Sequence, residues 1–501
     1  MILRAAAVFS DNMVLQMGKP VKVWGHGMNG RTVSVSVCGR TASCECRDNR
    51  WTVVLPPVTE YGGPYDMTVS DGTERVVFTN IMIGEVWIAG GQSNMELELQ
   101  NEKHGAEELK NLCKDIRFYY TKKNAYIDEY FYLDERNGGW AMPDEESARC
   151  WSAVGYYFAK RLAHDLNVTV GIIGCNWGGT SASNWVDKRS LAKHTDLDSY
   201  NREYDAAMEG KTEEEYLSEL KEYNDYNARW QPLINEFYAN NPHGSWEEAQ
   251  AYAGPARYPE PLGPRSPFRP GGLYETMLRR IAPYTARGFI YYQGESDDHK
   301  PQMYEALLTL LIDEWRTLWG DEDMPFINVQ LPMHRWKDDE DTKNWCIIRQ
   351  AQMNVYRKVR NTGLAVALDC GEFDNIHPVD KTKVGERLAL QALYMVYERL
   401  SSDEACAPVI KEGYPDGDAF VIKTVHADTW LINGDTDGFE LAGDDGVYHR
   451  ARAEFSQNRI LLYADEVTAP VTARYKWTNY ADVWIFGGNG LPLAPFSTSV
   501  I

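Results

Sequence analysis

Hydrophobic positions near the start of the chain fall in short runs between turns: Pro20 to Trp24, Thr32 to Val37, Trp51 to Leu55, Tyr65 to Val69 and Val76 to Phe78. Turn formers such as Asn29-Gly30 and Asp71-Gly72 separate these runs, so residues 1–82 are predicted to form a small β-sandwich. From Ile83 the pattern changes. An apolar run to Ala89 meets Gly90-Gly91 and then the acidic stretch Met95 to Gln100, which reads as strand, turn and helix. Ser152 to Leu166 then carries Val154, Phe158 and Leu162 at helical spacing, and the β-branched run Val168 to Ile173 follows. The alternation continues with helices over Leu273 to Ile281, Gln302 to Trp319, Trp345 to Val359 and Lys383 to Leu400. Strands are expected between them at Gly288 to Tyr292, Pro325 to Gln330 and Leu364 to Leu368. Buried strands alternating with helices predict an α/β domain over 83–400, with a mostly parallel sheet covered by helices on both faces.

Two segments depart from that rhythm. Residues 195–270 are polar, charged and Tyr-rich, helical in texture over Thr212 to Tyr226 and rich in Pro and Gly over Gly254 to Gly272. They read as an insertion over the sheet, either one wall of a site or a solvated subdomain. Residues 401–501 return to short strands, among them Phe420 to Thr424, Thr429 to Leu431, Arg459 to Tyr463 and Ala473 to Trp477, and are expected to form a C-terminal β domain.

Composition narrows the function. With 73 acidic against 51 basic side chains the 501-residue chain carries a formal charge of −22, a surface that repels phosphate backbones and anionic lipids. Neither nucleic acid nor membrane is expected as a partner. No apolar stretch approaches the roughly 18 to 20 residues that span a bilayer, and MILRAAAVFSDNMVLQ lacks the parts of a signal peptide, so a cytoplasmic location is expected. Nine scattered cysteines without CxxC units read as reduced thiols. The 16 tryptophans and 30 tyrosines suit sugar faces as well as cores.

The candidate chemistry lies just past the expected strands. In Gly90-Gly91-Gln92-Ser93-Asn94-Met95 a tight turn presents Ser93, a candidate nucleophile, with a helix N-cap serine as the other reading. Met95 stands where the second glycine of a G-x-S-x-G elbow would be, so an α/β-hydrolase elbow is not matched. In Asp374-Asn375-Ile376-His377-Pro378 an aspartate three residues before a histidine can hold Nδ1 and leave Nε2 to take a hydroxyl proton; helix capping beside a surface imidazole is the alternative. Tyr291 to Asp297 offers Gln293 as an amide donor to an oxyanion and Glu295 as a group to orient an imidazole or bind a hydroxyl. Asn176 to Thr180 offers flexible backbone amides.

GGQSNM, NWGGTSASNW, YYQGESD and DNIHP, in this order, resemble the sialate O-acetylesterase family of SGNH-type hydrolases, related to acetyl xylan esterases. MVLQ, VKVWG, GGPYDMTV and IGEVWIAGGQSNM near the start, and VTARYKWTNY with GLPLAPFSTS near the end, extend the resemblance over nearly the whole chain. It implies an SGNH-like three-layer α/β domain between two β domains, and a serine esterase that removes O-acetyl groups from sugars without metal or organic cofactor. Ser93 would attack and His377 would act as base, oriented by Asp374 or, as in related acetyl xylan esterases, by Glu295. Ser93 N–H, Gly179 N–H and the Gln293 side chain would hold the oxyanion. A sialate carboxylate would call for an arginine, for which Arg387 and Arg287 are available; a neutral acetylated xylan oligosaccharide needs none. Trp177, Trp185 and Tyr292 are candidates to stack on the sugar, with core packing as the alternative for each. A carbohydrate-binding protein without catalysis is the competing class. Oligomeric state is not legible.

Overall fold

The computed structural model describes residues 2–241 and 244–498. Two units divide it: Met1–Lys123, Tyr132–Ala182 and Met277–Ile501 in the first, and Asn124–Phe131 with Ser183–Thr276 in the second.

The first unit is organised by one 17-residue strand, Arg75–Gly91. Its first half alternates between exposed and covered positions, whereas Glu85 to Gly91 is buried throughout, as a strand entering a sheet covered on both faces requires. The first half pairs antiparallel with Gly62–Ser70; the second pairs parallel with Val170–Asn176 on one side and Gly288–Tyr292 on the other. The strand therefore runs straight through position 82/83, where the sequence suggested a domain boundary. Residues before it form two small sheets around buried Val23, Val35, Val53, Met67 and Val69.

In the central sheet the strand order is Trp140–Ala141, Ile116–Tyr120, Val170–Asn176, Arg75–Gly91, Gly288–Tyr292, Phe326–Gln330 and Thr362–Val366. All neighbours run parallel except the short Trp140–Ala141 edge. Chain order reverses at the long strand, and such a switch point opens a crevice at the carboxyl ends of the strands. Trp87 meets Phe158 of the helix Ala153–Leu166 at 5.2 Å, while a Cβ on Gly90 would fall 2.7 Å from Trp315 of the helix Tyr304–Trp319. Odd and even residues of a strand point to opposite faces, so these helices cover opposite faces of the sheet.

Arg287 and Glu85 meet at the base of this sheet. The fully buried Glu85 carboxylate accepts from Arg287 Nε at 2.7 Å and Nη2 at 2.9 Å, and from Tyr61, Tyr397 and Gln16. This is structural bracing, which removes Arg287 as a receptor for substrate. The C-terminal part forms a seven-stranded antiparallel sheet from Val409–Asp416 to Phe496–Ser497, curled so that its first strand comes near Thr472–Tyr475. Its core of Phe420, Ile422, Phe439, Leu462 and Tyr475 is continuous with Met333, Met353 and Leu364 of the α/β part.

In the second unit the helix Glu213–Asn240 starts at a capping box between Thr212 and Glu215 and continues past Tyr226, where the sequence pattern faded, through Pro232. Ile234 and Phe237 reappear on one face and pack on Ala249 of the helix Trp246–Ala253, which explains the extension.

Candidate active site

Three carboxyl-end segments of the first unit converge on one hydroxyl. Gly91 ends the long strand at φ 134°, where a Cβ would lie 2.1 Å from the Tyr292 carbonyl, so only glycine lets the chain turn this close to the neighbouring strand. The turn places Ser93, half-buried, as the first residue of the short helix Ser93–Glu96. Opposite it, the loop between the turn Leu368–Cys370 and the helix Thr382–Met395 carries His377. The two side chains meet: His377 Nε2 lies 2.8 Å from Ser93 Oγ. The third segment follows the strand Val170–Asn176, and its glycine turn packs on the serine, since a Cβ on Gly178 would lie 3.3 Å from Ser93 Cβ. Gly178 N–H donates to Glu96 Oε2 at 2.7 Å, and Gly179 follows at φ 73°. Trp177, half-buried, stands in the same turn with Lys123 Nζ 5.6 Å from its ring centre.

His377 has an exposed surface, yet loss of water around its ring, followed by Lys381 and His334, holds its pKa below the ordinary imidazole value, against an opposing pull from Glu96. This favours the neutral imidazole. Among the described residues no carboxylate hydrogen-bonds its Nδ1, which corrects both expectations for the orienting acid. Asp374, exposed and at φ 58°, turns Oδ1 to Lys337 N–H at 2.9 Å, while its own N–H donates to the Arg335 carbonyl at 3.0 Å. It shapes the loop rather than the imidazole. Glu295 is buried, and its Oε1 accepts from Asn94 Nδ2 at 2.7 Å while Oε2 has no partner among the described residues; burial raises its pKa.

That Asn94 contact belongs to a network not foreseen in the sequence. Asn94 Nδ2 also donates to the Ile376 carbonyl at 2.9 Å, tying the serine turn to the residue before His377. Asn94 Oδ1 accepts from Lys381 Nζ at 2.6 Å. Lys381 is 1% exposed, and burial pushes its pKa down to about 8. Asn94 stood inside a recognised motif, but nothing in the sequence marks Lys381 as other than a solvated helix-start lysine.

Other assignments are corrected by burial. Gln293 is fully buried, with Nε2 donating to Asp297 Oδ2 at 2.6 Å and to the Thr180 carbonyl at 3.2 Å, and Oε1 accepting from Tyr304 at 2.9 Å. Its amide is spent on holding the loops, which leaves it committed to protein partners rather than open to an oxyanion. Asp297 also accepts from Ser181 at 2.6 Å and Ala182 N–H at 2.9 Å, which clamps the 177–182 turn. Arg387, 6% exposed, is committed to Asp369 and is closed to a sugar carboxylate. Tyr292, 1% exposed, turns its ring to Lys381 Nζ at 5.6 Å, and Trp185, 0% exposed, is a core residue of the second unit; neither offers a face to a sugar.

Comparison with known proteins gives the following likenesses. Residues 265–394 match the family described as carbohydrate esterase, sialic acid-specific acetylesterase. This span contains Glu295, His377 and Lys381. Sialate O-acetylesterase of Mus musculus is 26% identical over 430 residues, covering 79% of this chain and 73% of its own. The Homo sapiens protein of that name is 24% identical, covering 79% and 71%. The chain thus resembles the sialate O-acetylesterases along most of its length. A crystal structure of a carbohydrate acetylesterase from Xanthomonas citri aligns with a TM-score of 0.77 and 26% identity over 99% of both chains. The likeness takes in the flanking β regions along with the α/β part.

Proposed function

We propose that this protein is a carbohydrate O-acetylesterase that works through an acyl-enzyme on Ser93. The observation that carries the reading is the 2.8 Å contact between Ser93 Oγ and His377 Nε2 at the switch point of the parallel sheet. Ser93 Oγ attacks the acetyl carbonyl carbon as its proton passes to Nε2. The ester C–O bond then breaks and the sugar oxygen takes that proton. Water attacks acetyl-Ser93, gives its proton to His377, and acetate leaves with Ser93 restored. Ser93 N–H, beside the Gly178-Gly179 turn, receives the oxyanion, a contact worth about 3 kcal/mol in the transition state. Asn94 and Lys381 position the two loops, and the half-buried Trp177 lies where a sugar ring passes. We further read the sheet, with a helix layer on each face, as the SGNH-type three-layer arrangement over 83–400, flanked by β domains over 1–82 and 401–501.

The test is acetate release by wild type and Ser93→Ala from 9-O-acetyl sialic acid and from acetylated xylo-oligosaccharides in parallel. Ser93-dependent acetate from either supports the esterase; folded wild-type protein that releases none overturns it.

A further inference from the structure

A cavity of about 310 Å3 opens beside the His377 loop, with Ile376 in its wall. Four segments of the first unit build it, Asn479 of the C-terminal part being one. Arg335 and Trp336 precede the helix Asn344–Lys358, Asp298 follows the Gln293–Asp297 turn, and Ile376 adjoins His377. The Arg335 and His377 loops are stitched together by the two hydrogen bonds of Asp374, at 3.0 Å and 2.9 Å, so the cavity is fixed relative to the base.

We propose that this cavity is a subsite for the sugar unit next to the acetylated one, and that it takes neutral sugars rather than carboxylate-bearing ones. The proposal rests on the esterase reading above. Its first support is Trp336, 43% exposed, yet held in place by the His334 ring at 4.8 Å and 90°, which itself packs on Trp345 at 5.0 Å. A fixed indole left open to water is a ready platform for the apolar face of a pyranose. The second support is unused hydrogen-bonding capacity. Among the described residues Arg335 Nε and His334 Nε2 are buried without a partner, and such groups in a folded protein call for an explanation. Sugar hydroxyls donate and accept, so one ring can serve both the Arg335 donors and the Asp298 carboxylate, which a purely accepting carboxylate cannot. The third support is charge. Asp298, Asp339 and Glu340 line the cavity against Arg335 alone, while burial keeps His334 on the neutral side. An anionic sugar entering here meets an excess of like charge in a partly enclosed space.

The experiment compares three substrates: p-nitrophenyl acetate, which has no sugar, partially acetylated xylotetraose, and a 9-O-acetyl sialoside. Wild type is expected to show a kcat/KM at least tenfold higher on the xylotetraose than on the sialoside. Trp336→Ala should lose at least tenfold more on xylotetraose than on p-nitrophenyl acetate, mainly through KM. Asp298→Asn combined with Asp339→Asn should narrow the gap to the sialoside at least threefold. Equal losses by Trp336→Ala on xylotetraose and p-nitrophenyl acetate, or no loss on either, would overturn the subsite. Preference of wild type for the sialoside would overturn its neutral character. Hydrolysis of p-nitrophenyl acetate that survives Ser93→Ala would instead sink the esterase reading, so the two failures are distinguishable.

Discussion

Replacing Lys381 with methionine removes a buried charge while keeping the length of the side chain. A fall in pKa from 10.5 to about 8 means that the fold disfavours the ammonium form by about 3 kcal/mol, at about 1.4 kcal/mol per tenfold. Below pH 8 the amine is charged in both folded and unfolded chains, so the whole penalty is present at pH 7. Between about 8 and 10.5 the unfolded chain holds a proton that the folded one has lost, and stability recovers as pH rises. Methionine lifts this penalty but leaves Asn94 Oδ1 buried without its donor, which costs about 1–3 kcal/mol. Net stability in urea unfolding at pH 7 should therefore be unchanged or higher by up to about 2 kcal/mol. Activity should move the other way. Asn94 loses the partner that fixes its hold on the Ile376 carbonyl, and kcat/KM on p-nitrophenyl acetate should fall about tenfold or more. Lys381 is also among the groups that hold the His377 pKa down, with His334 beside it and Glu96 opposing. The acid limb of kcat/KM, which follows neutral His377, should consequently shift to higher pH in Lys381→Met and stay near its wild-type position in Lys381→Arg. A variant that loses more than about 2 kcal/mol of stability with its acid limb unmoved would refute the reasoning and leave Lys381 a structural residue.

Gln293→Leu strips partners from Asp297, Thr180 and Tyr304 and should cost about 1–3 kcal/mol in urea unfolding, with a loss in kcat/KM well short of the roughly 100- to 1,000-fold of an oxyanion donor. Asp374→Asn keeps an oxygen for Lys337 N–H, so steady-state kcat/KM should stay within about threefold of wild type; the roughly 10,000-fold loss typical of a triad acid would restore Asp374 to the imidazole. Glu85→Gln leaves Arg287 partly buried without its counter-charge and should lower stability by about 3–5 kcal/mol, read as a clear drop in Tm.

The α/β rhythm was legible because buried parallel strands are written as apolar runs bounded by turns: Gly288–Tyr292 falls where the pattern places it. The long strand was harder to read, since its two halves obey different patterns, alternating where one face meets solvent and continuous where both are covered. After the serine the expected helix to Gln100 is cut short at Glu96, because Leu97 leaves helical geometry at ψ 119°, and a separate turn, Leu99–Asn101, follows. Within the candidate site, the motifs marked the loops but not the direction of each side chain. Gln293 and Glu295 sit where a donor and an acid are wanted, yet Asp297, four residues after Gln293, captures its amide, and Asn94 captures Glu295. Arg387 looked available until Asp369, in the turn after Thr362–Val366, was brought against it. Lys381 was invisible for the opposite reason: a lysine at a helix start reads as solvated, and only the fold buries it against Asn94 and Tyr292.

The central claim is that Ser93 is a nucleophile activated by His377. A fluorophosphonate probe followed by peptide mass mapping tests it most directly. Wild type should carry the label on the peptide containing Ser93, Ser93→Ala should carry none, and His377→Ala should label at least 100-fold more slowly. Label on another residue, or Ser93→Ala that still labels and still releases acetate, would contradict the account.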